Sequence, residues 1–149
     1  MKIFLDMDGV MVIAKPWVSP QILEDGFPMF ESQAVNALNL LLSQSNGSII
    51  LTTSHKHRFD LNAWKNIFLK RGVEVKSIER LPENINNLTR KEELFNWLSS
   101  NSELSNFLII DDDKSLNGLP EHYKSNLLLI SPMIGLTMAD AEKVLETIS

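Results

Sequence analysis

Two aspartates separated by a single residue follow a short apolar stretch near the start of the chain, in the segment KIFLDMDGVMV. As ionised carboxylates, Asp6 and Asp8 would repel each other, and each would lose hydration in a partly closed site. A bound divalent cation would offset both effects, because hard cations prefer oxygen ligands. The spacing therefore indicates a metal site.

Two further polar clusters follow apolar stretches later in the chain: TTSHK at residues 52–56 follows SIIL, and DDD at residues 111–113 follows FLII. Carboxylates, a hydroxyl and a cation together suit phosphoryl chemistry. One aspartate can attack phosphorus, and a second can protonate the leaving oxygen and then activate water. A hydroxyl and a basic side chain can hold the remaining phosphate oxygens.

The elements that must position these clusters alternate along the chain. Short apolar stretches predict strands at residues 2–6, 48–51, 73–78, 107–113 and 127–130. Helical periodicity and capping residues predict helices at residues 31–44, at 61–71 after Asp60, after the capping box Thr89–Glu92, and after Thr137. Residues 11–30, with three prolines and a glycine, predict an irregular loop or a small hairpin, and whether residues 14–30 form a lid stays open.

This alternation predicts the fold class. We expect one α/β domain over residues 1–149, a three-layer sandwich around a five-stranded, mainly parallel, Rossmann-like sheet with no large cap domain. In such sheets ligands bind beyond the carboxyl ends of the strands. The three polar clusters, which are distant in sequence, should therefore meet at one edge of the sheet.

Composition excludes several classes of site. The 149 residues are 44% hydrophobic and 22% charged, with a net charge of −5. The negative charge argues against a broad basic surface for long nucleic acid. The absence of cysteine excludes disulfides, thiolate metal ligands and cysteine nucleophiles. With no signal-peptide pattern and no apolar run near about 20 residues, we expect a cytoplasmic protein without a membrane partner.

The motifs resemble a known family. FLDMDGV resembles the nucleophile motif of the haloacid dehalogenase (HAD) superfamily, IILTTS is similar to its second motif, and LIIDDD is similar to its acidic fourth motif. TRKEELFNWL, FLIIDDD and LLLISPMIGLTMADAEKVL resemble a narrower group, the HAD domains of multidomain RNA-repair proteins. This resemblance covers nearly the whole chain and implies a phosphohydrolase that uses Mg²⁺.

The resemblance implies roles for individual residues. Asp6 would be the nucleophile and a Mg²⁺ ligand, and Asp8 the general acid and base, with its backbone carbonyl on the metal. Thr52 would hydrogen-bond the phosphate. In the acidic triplet, Asp112 best matches the usual metal-binding position, Asp111 is the alternative metal ligand, and the third aspartate only shapes the loop.

The basic residue of the site stays open between two neighbours. Lys91 has the residue type that most of the superfamily uses, whereas Arg90 fits better by its distance to Trp97, and the preference is slightly for Lys91.

Thr53, Ser54 and Lys56 are candidates for binding the substrate. The basic run at residues 55–58 fits either a phosphate contact or a solvated turn before the next helix. Trp17 fits a platform for a nucleobase or, more often, a core or hairpin anchor. Arg71 and Arg80 are interpreted as surface residues.

The resulting hypothesis is a Mg²⁺-dependent phosphomonoester hydrolase (phosphatase) that forms an aspartyl-phosphate on Asp6. Its partner is a phosphorylated substrate, either a small molecule such as a nucleotide or a nucleic-acid end. Two alternatives stay open: a phosphoryl transferase, and a catalytically weak domain that binds phosphate or metal and works with a partner. The resemblance implies that members without a cap act on large or exposed phosphate groups, or oligomerise.

Overall fold

The computed structural model describes residues 1–148, in which strands and helices alternate as predicted. The strands are β1 (Lys2–Leu5), β2 (Ser48–Leu51), β3 (Ile78–Arg80), β4 (Phe107–Asp111) and β5 (Leu127–Leu129). The α-helices are α1 (Ser32–Ser45), α2 (Leu61–Lys70), α3 (Arg90–Ser100), α4 (Glu121–Lys124) and α5 (Met138–Ile148), and a 3₁₀ helix covers Lys114–Gly118. Of the helices in residues 1–148, none has the length and apolar content needed to cross a membrane.

The five strands form one sheet in the order β3-β2-β1-β4-β5, and every neighbouring pair is parallel. Alternate side chains of the strands face opposite layers. Ile3 and Leu5 pack with apolar residues of α1, α2 and α5, whereas Phe4, Ile50 and Ile109 pack beneath α3. The predicted three-layer α/β sandwich with a five-stranded parallel sheet is confirmed.

The predicted position of the third strand, residues 73–78, is wrong for most of its length. The strand begins only at Ile78, which pairs with Ile49 of β2. Residues before Ile78 would have to pair with the turn that ends α1, where no strand is available. Val73 and Val75 are nevertheless buried in the core, which explains the alternation in the sequence.

Capping side chains mark the starts of α2, α3 and α5 as predicted. The side chain of Asp60 accepts a hydrogen bond from the backbone N–H of Ala63 at 2.7 Å. Thr89 and Glu92 form the reciprocal capping box that starts α3. A similar exchange links Thr137 and the residue three positions later at the start of α5. Each cap satisfies backbone N–H groups that the first turn leaves free.

Residues 13–31, here called the proline segment, connect the end of the first motif to α1 without a regular strand or helix. Arg71 anchors this segment. It is only 9% exposed, and it pairs through two nitrogens with the carboxylate of Asp25. It also donates to the backbone carbonyls of Phe27, Pro28 and Ile67. The hydrogen bonds from Arg71 lower the pKa of Asp25 to about 2.

Two interpretations from the sequence are therefore wrong. Arg71 is buried and Arg80 is partly buried, with hydrogen bonds from Arg80 to the carbonyls of Lys56 and Phe59. Of the alternatives for Trp17, the core anchor is excluded, because Trp17 is 70% exposed.

The anchoring role of Arg71 predicts a large loss of stability in Arg71→Gln. The substitution removes the guanidinium from a largely buried carboxylate and from three carbonyls, so we expect the free energy of unfolding to fall by about 3 kcal/mol. Arg58→Gln is the matched control, because exposed Arg58 makes one hydrogen bond to the carbonyl of Gly26. It should lose about 1 kcal/mol or less. Urea denaturation measures both, and equal losses would contradict the assignment.

Candidate active site

A row of polar residues crosses three neighbouring strands at one edge of the sheet. β1 is in register with β2 and β4 through Leu5, and the residues at the next position are Asp6, Thr52 and Asp111. All three are buried. Because side chains alternate along a strand, these three face the same side as the apolar residues that pack beneath α3. The row therefore faces the start of that helix.

Three carboxylates converge at this edge. Asp6, Asp111 and Asp112 each offer an oxygen atom, and these atoms lie within 4.8 Å of one another. Burial, and next the charge of Asp111, raise the pKa of Asp6 to about 8. Burial also raises the pKa of Asp112. The residues present fit a hard divalent cation, because the cluster supplies oxygen ligands and excess negative charge.

Gly9 leaves the space that Asp112 occupies. A Cβ atom at Gly9 would lie 2.1 Å from Oδ2 of Asp112, and the backbone of Gly9 has a φ of +84°. Both observations explain why a glycine follows the second aspartate of the first motif.

Arg90 is the basic residue that the structure brings to the carboxylates. Its Nη1 atom lies 2.5 Å from Oδ2 of Asp111 and 3.5 Å from Oδ1 of Asp6. Burial by itself would lower the pKa of Arg90, but the charges of Asp6 and Asp111 raise it above its usual value. Arg90 is the first residue of α3, directly after the cap, so its side chain reaches the row of polar residues.

Lys91 points elsewhere. Successive residues of a helix are about 100° apart, so the side chains of Arg90 and Lys91 leave α3 in different directions. A Cβ atom at Gly118 of the 3₁₀ helix would lie 3.0 Å from Nζ of Lys91. The geometry thus favours Arg90, against the preference for Lys91 drawn from residue type.

Lys56 forms a buried ion pair with an acidic residue of α3. Its buried ammonium donates to Oε2 of Glu93 at 3.0 Å, and Oε1 of Glu93 lies 3.9 Å from Nε of Arg90. Glu93 is not among the site residues predicted from the sequence, although its position three residues after Arg90 places both on one face of α3. Lys56, Glu93 and Arg90 form a chain of alternating charge that ends at the carboxylates.

The hydroxyl of Thr52 is buried and has no hydrogen-bond partner within residues 1–148. An unsatisfied buried hydroxyl costs about 1–3 kcal/mol, which a ligand oxygen would recover. Thr53 is also buried, and its Oγ1 accepts a hydrogen bond from the backbone N–H of His55 at 3.3 Å. Of the three predicted substrate-binding residues, only Ser54 is exposed.

The two remaining aspartates of the acidic motifs, Asp8 and Asp113, lie outside the carboxylate cluster. The side chain of Asp8 is 58% exposed, and its Oδ2 lies 2.9 Å from Nε2 of His55. Asp113 accepts a hydrogen bond from the backbone N–H of Ser115 and caps the 3₁₀ helix. This capping contact is the loop-shaping role expected for it.

Comparison with known proteins finds one matching family and a similar solved structure. The model of the family described as "HAD domain in Swiss Army Knife RNA repair proteins" matches residues 2–141. No curated protein matches the chain. A crystal structure of D,D-heptose 1.7-bisphosphate phosphatase from B. bronchiseptica, complexed with magnesium and phosphate, is similar with a TM-score of 0.52. That likeness covers 99% of each chain at 17% identity, and it supports the fold.

The contact between Gly9 and Asp112 predicts a specific loss of metal affinity in Gly9→Ala. The added methyl group would displace the carboxylate of Asp112, and we expect Mg²⁺ affinity to fall at least about tenfold by isothermal titration calorimetry. Gly26→Ala is the matched control, because Gly26 has the same φ of +84° but a Cβ atom there would lie 4.0 Å from Nη2 of Arg58. Equal affinity in the two variants would contradict this account of Gly9.

The raised pKa of Asp6 predicts a pH-dependent loss of stability in the absence of metal. Between about pH 4 and about pH 8 the folded protein holds a proton on Asp6 that the unfolded chain has released. Stability therefore falls as the pH rises through this range. Asp6→Asn removes the titration, so in EDTA the variant should gain stability relative to wild type from pH 4 to pH 8. Urea denaturation across this range measures the difference, and a constant value would exclude the raised pKa.

Proposed function

The chain belongs to the family of HAD domains in Swiss Army Knife RNA repair proteins, and on this basis we propose that it is a Mg²⁺-dependent phosphomonoester hydrolase. The observation that carries the proposal is the row of Asp6, Thr52 and Asp111 facing Arg90. It combines a nucleophile, an unpartnered hydroxyl and a fixed cation at one buried edge. These are the groups that phosphoryl transfer to a carboxylate requires.

Asp6 acts as the nucleophile in the proposed reaction. Its carboxylate oxygen forms a bond to phosphorus while the bond from phosphorus to the leaving oxygen breaks, and Asp8 gives that oxygen a proton. Asp8 then takes a proton from water as the water oxygen attacks phosphorus, which releases inorganic phosphate and restores Asp6. Arg90 and the hydroxyl of Thr52 hold phosphate oxygens during both steps.

Asp6, Asp111 and Asp112 would hold the metal ion, with the backbone carbonyl of Asp8 as a further ligand. When bound, the ion would neutralise charge between the carboxylates and the phosphate. If all groups are ionised, the site holds the carboxylates of these three aspartates and Glu93 against the two cations Arg90 and Lys56. The two excess negative charges match one divalent ion.

The proposed substrates are phosphomonoesters, with nucleotides and nucleic-acid ends as the first candidates. The family description, which names RNA repair, supports this choice. The described residues contain no cap domain between the strands, so a phosphate at the end of a large molecule could reach the edge of the sheet. We treat residues 1–149 as one catalytic domain, and a cytoplasmic location stays a prediction.

The decisive experiment compares wild type with Asp6→Asn. We would measure phosphate release from an aryl phosphate, from mononucleotides and from oligonucleotides phosphorylated at either end, each with Mg²⁺ and with EDTA. Wild type should release phosphate only with Mg²⁺, and Asp6→Asn should lower kcat at least about a thousandfold because no nucleophile is left. Asp113→Asn is the matched acidic control and should retain activity, since asparagine also caps helices.

Arg90→Gln and Lys91→Gln complete the same assay. Arg90→Gln should lose most activity, and Lys91→Gln should keep it, because only the first removes a cation from the carboxylates. The reverse result would restore Lys91 as the basic residue. Wild type that binds Mg²⁺ and phosphate without turnover would favour a binding domain, and transfer of phosphate to an added alcohol would favour a transferase.

A further inference from the structure

The contact between Asp8 and His55 indicates a role for His55, a residue that the proposed reaction does not use. Asp8 is the most exposed of the proposed reacting groups, with a side chain 58% exposed. An exposed carboxylate on a short side chain samples several rotamers unless a neighbour holds it. The Nε2 atom of His55, 2.9 Å from Oδ2 of Asp8, is within hydrogen-bond distance and supplies that neighbour.

His55 is itself held in place from three sides. Its backbone N–H donates to Oγ1 of Thr53, and its carbonyl accepts from the N–H of Arg58 at 2.9 Å. Its ring packs edge-on against the ring of Phe27, with the ring centres 5.8 Å apart at an angle of 83°. Edge-to-face contacts of this kind fix the orientation of both rings.

Phe27 connects this contact to the core. Its side chain is fully buried and packs edge-on against Trp64, with the ring centres 5.1 Å apart. Its carbonyl accepts a hydrogen bond from Arg71. A continuous set of fixed contacts therefore runs from the core through Phe27 and His55 to the carboxylate of Asp8.

We propose that His55 is a positioning residue that sets the orientation of the Asp8 carboxyl group for proton transfer to the leaving oxygen. The inference rests on the proposed function. His55 makes and breaks no bond to the substrate in this account. It acts through Asp8, so its loss should slow proton transfer in both steps, and in kcat/KM, which reports formation of the aspartyl-phosphate, it should matter only where the leaving oxygen needs a proton.

The two roles of His55 can be told apart, because a merely structural role would lower activity equally with every substrate, whereas positioning of Asp8 would not. A nitrophenolate leaves phosphorus without a proton, whereas an alkoxide needs one, so general-acid catalysis matters only for the alkyl ester. We would measure kcat/KM with Mg²⁺ for 4-nitrophenyl phosphate and for an alkyl phosphate. His55→Ala should lose about a hundredfold with the alkyl ester and less than about threefold with the aryl ester. His55→Gln, which keeps a hydrogen-bond donor, should recover most of the loss.

His122→Gln is the matched control, because exposed His122 lies on α4 against the ring of Tyr123 and outside the site. It should match wild type with both esters. Equal losses with the two esters in His55→Ala, or no loss with either, would overturn the role of His55 and leave the phosphatase standing. Wild type that hydrolyses neither ester would overturn the proposed function, and the role of His55 with it.

Discussion

Mutual repulsion among three carboxylates is the main constraint on the edge of the sheet at which the strands end. Asp6, Asp111 and Asp112 bring their oxygens within 4.8 Å of one another in a largely buried place. Burying like charges together is unfavourable unless something compensates them. Arg90 supplies one positive charge, yet burial, and next the charge of Asp111, still raise the pKa of Asp6. The site is thus prepared for a cation, because binding one removes the remaining repulsion.

The parallel register of the strands places Asp6, Thr52 and Asp111 side by side, and α3 positions Arg90, whose positive charge partly neutralises the carboxylates. The three central strands are in register, so these three residues lie side by side without any long loop. Glu93 then ties Arg90 to Lys56, whose carbonyl accepts hydrogen bonds from Trp64 and Arg80. This chain links the start of α3 to the turn after β2. These contacts fix the guanidinium of Arg90 relative to the hydroxyl of Thr52, and a preorganised phosphate site requires such a fixed geometry.

Features set by neighbouring residues could be predicted from the sequence, and features set by distant partners could not. Four of the five strands and the caps at Asp60 and Thr89 depend on local pattern, and they lie where the sequence indicates. The predicted position of the third strand is wrong because its start depends on where β2 begins. Arg71 looks like any helical surface residue, since its partner Asp25 is 46 positions away. The choice between Arg90 and Lys91 likewise depends on the direction in which α3 presents each side chain to the sheet.

The anchoring of the proline segment bears on how a substrate reaches the site. The contacts from Arg71 fall on residues 25–28, and residue 14 is held through its backbone N–H by the carbonyl of Pro132. To open its second half, the segment would have to break a buried ion pair and remove Phe27 from the core. Only the part around exposed Trp17 could move at small cost. A lid made of the whole segment is therefore disfavoured, and under the proposed function the open edge of the sheet would admit a phosphate at the end of a larger molecule.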